Sequence, residues 1–423
     1  MVRSGALPTR LIALQHGATL VWGPETVDKA ILHATREVDP TTGVISYNGV
    51  SRAIFTTHPI EKPYLIYQIG SADPELAVQA AKTVMQDVSG IDLNCGCPKP
   101  FSTHAGMGAA LLTNPDLLCS VLTALREAMP PEISVSAKIR LLPSQEDTLK
   151  LVERIINTGV SALTVHCRTK NMRERDAAQI ERLKGIVDFV NGMGKDVAVV
   201  ENGDCSGWED AIRVRQVTGA HSVMIARAAE SNPTCFSLTP MIDLEKTLWP
   251  KYLRLAKYLD NYWGLTKFCI AQFKGMYVAT KKSEATQLRN KLSHAKCYDD
   301  VSDFVGGSWT GSEVFQDIIN AIESRPPREH RLIIPSKPQE TLDGAATPSD
   351  TTTLDTATNE SSEGTPELEL QGFVTPRGTQ NPEPPGSGAP LLPNELRMLL
   401  PSIITGQNAM TPTPTPGDSQ SAL

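Results

Sequence analysis

Seven short apolar runs, at residues 18–22, 64–70, 90–94, 133–140, 162–166, 196–201 and 221–226, constrain this chain more than any other feature, because helical patterns separate them. Those patterns cover 74–88, 116–128, 146–157, 178–189 and 208–217, and in the third of them Leu149, Val152 and Ile156 share one face. Parallel strands cannot be joined by tight turns; each return needs a crossover, usually a helix. Alternation sustained from residue 18 to 226 therefore predicts an α/β fold, a (β/α)8 TIM barrel that closes with eight parallel strands.

After Ala229 only helical patterns follow, at 244–260, 262–277, 284–296 and 313–324, and they predict a small helical domain. From about Pro335 the chain is rich in Pro, Ser, Thr and Gly and has too few large apolar residues for a core. The expected organisation is a catalytic barrel over 1–235, a helical domain over 236–334 and a disordered acidic tail over 335–423, with one short helix near 394–400.

Charge separates these parts. The net charge of −7 comes from the tail, where 11 acidic residues from Glu340 onward face two basic ones, Arg377 and Arg397. Between Lys246 and Lys296 the balance reverses, with 11 Lys or Arg against Asp260 and Glu284. Tyr252, Tyr258, Tyr262, Trp263, Phe268, Phe273 and Tyr277 are interleaved with them, and basic charge mixed with aromatics suits an RNA surface. A solvated helix face is the plainer account of the lysines.

Other classes are disfavoured. No apolar run approaches 18 residues, and the first residues, MVRSGALPTR, lack the apolar stretch of a secretory signal. The eight cysteines form no C-x-x-C pair, so neither a zinc site nor a disulfide framework is expected.

Chemistry concentrates in residues 90–112, GIDLNCGCPKPFSTHAGMGAALL. A strand ends in Asn94, and a thiol, Cys97, and a lysine, Lys99, follow before a glycine-rich loop. Strand ends are where parallel α/β proteins carry out chemistry. Cys95, nearer the strand, is expected to pack in the core. The motif N-x-G-C-P-K closely resembles the signature of the flavin-dependent tRNA-dihydrouridine synthases, with Cys97 on that family's proton-donating cysteine. The likeness runs in order from Met1 to about residue 330 and is nearest to the eukaryotic branch that modifies position 20 of the tRNA D-loop.

The resemblance implies FMN, reduced by NADPH or NADH, as the source of a hydride that no side chain can donate. It implies that Cys97 gives a proton to carbon 5 of uracil, as an acid and not as a nucleophile. Residues matching the family's flavin contacts are Gln68, Asn94, Lys138, which shares strand parity with Ser134 and Ser136, and His166. At the last two strand ends Asn202, Gly203, Asp204, Ala226 and Arg227 match the phosphate turn. Lys99, His104 and Arg168 are expected to face RNA. Met1 aligns with the end of the family's opening A-P-M motif, so the expectation is a chain that starts one strand late, with Met1 at the flavin and the first barrel strand missing.

The partners expected are tRNA and neither metal nor membrane, for a monomer acting in the cytoplasm, the nucleus or both. Two other readings stay open: a catalytically silent tRNA-binding protein, and a flavin barrel that reduces a free pyrimidine or small enone.

Overall fold

The computed structural model describes residues 4–276 and 280–326. The expected tail over 335–423, the expected short helix near 394–400, Met1 and Tyr277 lie outside the described residues. In chain order the strands are β1 (Val21–Trp22), β2 (Thr26–Val27), β3 (Thr35–Val38), β4 (Ile45–Asn48), β5 (Ala53–Thr57), β6 (Leu65–Gly70), β7 (Gly90–Asn94), β8 (Ser134–Leu141), β9 (Ala162–Thr169), β10 (Ala198–Asn202) and β11 (Ser222–Val223). The helices are α1 (Leu7–Gln15), α2 (Asp28–Ile31), α3 (Pro74–Val84), α4 (Pro100–Thr103), α5 (Pro115–Ala128), α6 (Gln145–Asn157), α7 (Glu181–Gly192), α8 (Trp208–Thr218), α9 (Arg227–Ser231), α10 (Leu244–Tyr258), α11 (Trp263–Gln272), α12 (Lys282–His294) and α13 (Ser312–Glu323).

Each of the seven apolar runs becomes a strand of one parallel sheet, ordered β1-β6-β7-β8-β9-β10-β11. Strand β2 continues the first position, because β1 pairs with Leu65 and Ile66 of β6 and β2 pairs with Ile69 and Gly70. From β6 onward crossover helices return the chain each time, and several are started by side chains that the sequence places there. Asp73 accepts hydrogen bonds from the Glu75 and Leu76 amides before α3, Asn114 caps α5 through the Leu117 amide, and Ser144 caps α6 through the Asp147 amide. Gly219 ends α8 in the left-handed conformation that its missing Cβ permits. Among the described residues the two outer strands, β1 and β11, share no ladder.

Alternation along the strands divides the residues between two environments. Ile91, Leu93, Val135, Ala137, Ile139, Leu163 and Val165 pack outward against helical residues such as Ala77, Ala80, Leu118, Val121, Val152 and Ile155. Each such side chain removed from water contributes about 1.5–3 kcal/mol, and this layer is the main core. The inner faces are polar and stand in tiers. Register aligns Gln68 with Asp92 and Ser136, Asn94 with Lys138 and Thr164, and Arg140 with His166 and Asn202.

A second sheet, not expected from the sequence, is antiparallel, ordered β3-β4-β5, and inserted before β6. It is tied down by Asp87, which accepts from the Arg36 guanidinium at 2.7 and 2.9 Å and from the Tyr47 hydroxyl at 2.5 Å. The helices from α10 to α13 correspond to the four expected after residue 229. They pack on α1, where Thr9 and Tyr252 hydroxyls lie 2.9 Å apart and Lys251 donates to Gln15 at 2.6 Å. Among the described residues, no helix is long and apolar enough to cross a membrane.

Candidate active site

Asn94, the last residue of β7, organises the loop that carries the thiol. Its Oδ1 accepts from the backbone amides of Gly96 and Cys97, both at 3.0 Å, so the chain turns tightly around one side chain. Its Nδ2 donates to Gln68 Oε1 at 3.2 Å, Gln68 Nε2 donates to Asp92 Oδ2 at 2.7 Å, and Ser136 Oγ donates to Asp92 Oδ1 at 2.6 Å. A chain of bonds thus anchors the thiol loop in a fully buried carboxylate. Burial raises the pKa of Asp92, and the Gln68 and Ser136 bonds and the charge of Lys138 work against that rise.

The far side of the loop is held by glycine. Ala109 N donates to Cys97 O at 2.9 Å, and Gly108 has φ +59°. A Cβ on Gly108 would collide with Ser102 Oγ and lie 2.6 Å from Cys97 O and 3.1 Å from Cys97 Cβ, so any side chain there must push Ser102 and the Cys97 backbone aside. Gly108→Ala is expected to lose about 1–3 kcal/mol of stability. Its thermal midpoint should fall, and peptide-resolved alkylation should show a changed rate at Cys97.

Cys97 is partly exposed, whereas Cys95 is fully buried in the core. Burial raises the Cys97 pKa, the Lys99 backbone amide offsets part of that, and the negative charge of Glu25 adds to it. The thiol therefore keeps its proton at neutral pH. Lys99 and His104 are exposed on either side of α4.

On the neighbouring strand β8, in register with Asn94, stands Lys138, whose pKa burial lowers to about 8 against the pull of Asp92. The charge of Asp92 favours the ionised form of this buried lysine. His166 is pushed down to about 2 by burial and by the charges of Lys138, Arg140 and Arg168, so it is a neutral imidazole. Arg140, which the sequence reading passed over, donates through Nε to Gly96 O at 2.8 Å and through Nη1 to Thr169 O at 3.0 Å. It joins the thiol loop to the end of β9.

The turn after β10 is built on Asp204, at φ +61°. Its carboxylate accepts from Arg168 Nη2 at 2.5 and 2.6 Å, from the Ala178 amide at 2.9 Å and from Arg227. Partial burial pushes its pKa up, but these bonds and the two guanidinium charges hold it below the usual carboxylate range. Arg168 is 3 % exposed and also donates to Asp176 O, so its guanidinium is engaged within this turn. Arg227 remains exposed at the start of α9, next to Ala226. Asn202 Nδ2 donates to Met224 O at 2.8 Å and links the ends of β10 and β11. A Cβ on Gly203 would lie 2.7 Å from Ala178 Cβ, which keeps this turn bare.

Gln68, Asn94, Cys97, Lys138, His166 and Asn202 thus gather at one end of the sheet, with Gly203, Asp204, Ala226 and Arg227 on one side and Lys99 and His104 on the loop. Met1 is outside the described residues. Sequence reasoning missed Asp92, Glu25 and Arg140. Strand parity with Lys138 could have found Arg140, and the polar residue in GIDLN could have found Asp92. Several buried polar atoms around the inner face lack a hydrogen-bond partner among the described residues: Trp22 Nε1, Glu25 Oε1 and Thr164 Oγ1. Such atoms are costly unless a ligand or water meets them. Among the described residues, no group of three or more His, Cys, Asp or Glu is placed to hold a metal ion.

A family model described as dihydrouridine synthase (Dus) matches residues 21–320. A tRNA-dihydrouridine(20) synthase, NAD(P)+, of Schizosaccharomyces pombe is 47% identical over 308 residues, which cover 71% of this chain and 62% of that protein. The Saccharomyces cerevisiae protein of the same name is 40% identical over 289 residues, 64% of this chain and 75% of its own. A tRNA-dihydrouridine(20a/20b) synthase, NAD(P)+, of Saccharomyces cerevisiae is 30% identical over 237 residues, 56% of this chain and 60% of its own.

Proposed function

The chain belongs to the dihydrouridine synthase family, and on that premise we propose that it reduces uridine to 5,6-dihydrouridine at position 20 of the tRNA D-loop, with FMN as cofactor and NADPH or NADH as reductant. The observation that carries this reading is a thiol, Cys97, whose backbone amide Asn94 holds at the mouth of a polar barrel interior.

The site suits a flavin. It offers unpartnered buried polar atoms at Glu25, Thr164 and Trp22 and a bare glycine turn at Gly203. Gln68, Asn94, Lys138 and His166 would hold the ring, and Asn202, Gly203, Asp204, Ala226 and Arg227 the phosphate. Met1 belongs to the same proposed set from the sequence. FMN, when bound, supplies the hydride for carbon 6 of the uracil. Cys97 Sγ holds the proton destined for carbon 5. Lys138 contributes a positive charge beside the ring, where electron density accumulates. His166, neutral, accepts a hydrogen bond without adding charge. Asp204 orients the Arg227 guanidinium toward an anion.

The target base must leave its stack, which costs a few kcal/mol that contacts elsewhere have to offset. We assign residues 1–235 to catalysis and 236–334 to RNA contact. Exposed Lys274, Lys281, Lys282 and Lys296 and the exposed ring of Tyr262 support this, while Tyr252 and Phe273 are buried and serve as core. Lys99 and His104 complete the RNA side, while Arg168, held within the Asp204 turn, stays in this set from the sequence alone. tRNA maturation places the protein in the cytoplasm, the nucleus or both.

The test is direct. The purified full chain should carry a flavin absorption spectrum, release FMN on denaturation, and with NADPH convert unmodified tRNA to dihydrouridine at position 20, read by mass spectrometry of nuclease fragments. A folded, colourless protein that still binds tRNA would overturn the reading in favour of a silent RNA binder.

A further inference from the structure

Glu25, whose charge raises the Cys97 pKa and whose Oε1 is one of the unpartnered atoms of the site, has no ligand group assigned to it, and it stands at the mouth. It lies between β1 and β2, the two pieces that pair with successive parts of β6, and so it ends the first strand position on the side where Cys97 sits. Its Oε1 is buried and has no hydrogen-bond partner among the described residues. The carboxylate rests against Gly70: a Cβ on that glycine would lie 3.0 Å from Glu25 Oε1 and 3.5 Å from Met107 Sδ. Met107 precedes Gly108, whose missing side chain lets the Cys97 loop close, so Glu25, Met107 and Cys97 share one wall. Lys138 is close enough across the barrel to favour the ionised form of Glu25, against the effect of burial.

An ionised carboxylate is an acceptor only, and a buried oxygen of it costs stability until a donor meets it. Resting on the reading that uridine is the substrate, we propose that Glu25 accepts a hydrogen bond from an imide N–H, a donor flanked by two carbonyls. Uracil carries one at N3, on the same ring edge as C5 and separated from it only by C4. A group on the Cys97 wall therefore meets N3–H when C5 faces the thiol. Cytosine has a lone pair at N3 and would repel the carboxylate, so this contact selects uridine over cytidine. The flavin ring carries the same imide, and the experiment separates the two sources.

Full-length wild type, Glu25→Gln and Glu25→Ala are compared for FMN affinity by fluorescence titration, for the rate of flavin reduction by NADPH, and for kcat/KM on unmodified tRNA. With uracil as the donor, Glu25→Ala lowers kcat/KM at least tenfold and leaves FMN affinity and flavin reduction within twofold of wild type. Glu25→Gln, which keeps an acceptor oxygen, recovers part of the loss. A tenfold fall in FMN affinity instead supports the imide contact with flavin as its source. Values within twofold of wild type for Glu25→Ala in all three measurements overturn the inference. If wild type itself forms no dihydrouridine, the functional reading fails separately, and FMN affinity alone then decides Glu25, an unchanged affinity overturning it.

Discussion

Replacing Cys97 with alanine is expected to slow dihydrouridine formation by about 10²–10⁴-fold, the usual contribution of a positioned general acid. The thiol suits this task because burial and the nearby Glu25 charge keep it protonated, while Asn94 fixes the backbone on which it sits. Flavin reduction by NADPH does not use that proton, so its rate and the FMN content should match wild type. The two half-reactions, followed separately under anaerobic conditions, distinguish loss of the acid from loss of the site. Since the thiol pKa is raised, the alkaline limb of kcat/KM should lie above the ordinary thiol range. A Cys97→Ala protein that reduces tRNA at the wild-type rate would remove the thiol from the mechanism.

What the sequence disclosed, and what it hid, follows from how each element is stabilised. The parallel strands were legible because both of their faces are buried or inward-facing, which writes a run such as the one ending β6 or β8 as a dense apolar string between amphipathic helices. The sheet of β3, β4 and β5 left no such trace. Every residue of β3 is exposed, and the sheet is held by the distant Asp87 through Arg36 and Tyr47. Helix α1 was also missed, although its Arg10 lies buried against Glu61 with bonds of 2.6 and 2.9 Å. Its start has Pro8 but no side-chain cap, and its apolar residues run nearly all round, which blurs the helical period.

The site was legible in part for a related reason. Asn94, Cys97 and Lys138 stand out as polar or reactive types at strand ends, and register brings them to one mouth. Asp92 looks like an ordinary strand residue until the fold shows it bonded to Gln68 and Ser136 beneath Lys138. Arg168 shows the converse. Its position in the sequence points to substrate, but three dimensions bind it to Asp204, whose carboxylate also holds Arg227. Local sequence specifies which groups are available, whereas long-range pairing decides which of them remain free to meet a ligand.

Glu201 is the position where that pairing leaves a charge-bearing group with no ion pair among the described residues, and it gives the second large expected effect. Register aligns it with Val165 and, through Val165, with Ile139, so it points outward into the apolar layer under the helices, away from the polar tiers. It is fully buried, both carboxyl oxygens lack a hydrogen-bond partner among the described residues, and a Cβ on Gly203 would lie 3.0 Å from its Oε1 and 3.4 Å from Cys167 Cβ. Burial, reinforced by the charge of Asp210, raises its pKa from 4.5 to about 8. The folded protein therefore binds a proton that the unfolded chain releases at lower pH. Stability from this group is complete below the unfolded value, declines as pH rises, and is fully lost once pH passes the folded value. The loss at pH 7 is on the order of 3 kcal/mol, taking 1.36 kcal/mol per unit. Glu201→Gln keeps the shape and carries no charge at any pH. Its thermal midpoint should equal that of wild type near pH 5 and exceed it by roughly 5 °C above pH 8. Parallel melting curves for the two proteins across this range would place the carboxyl elsewhere, ionised and paired, because in that case the substitution would lower the midpoint at neutral pH instead of raising it.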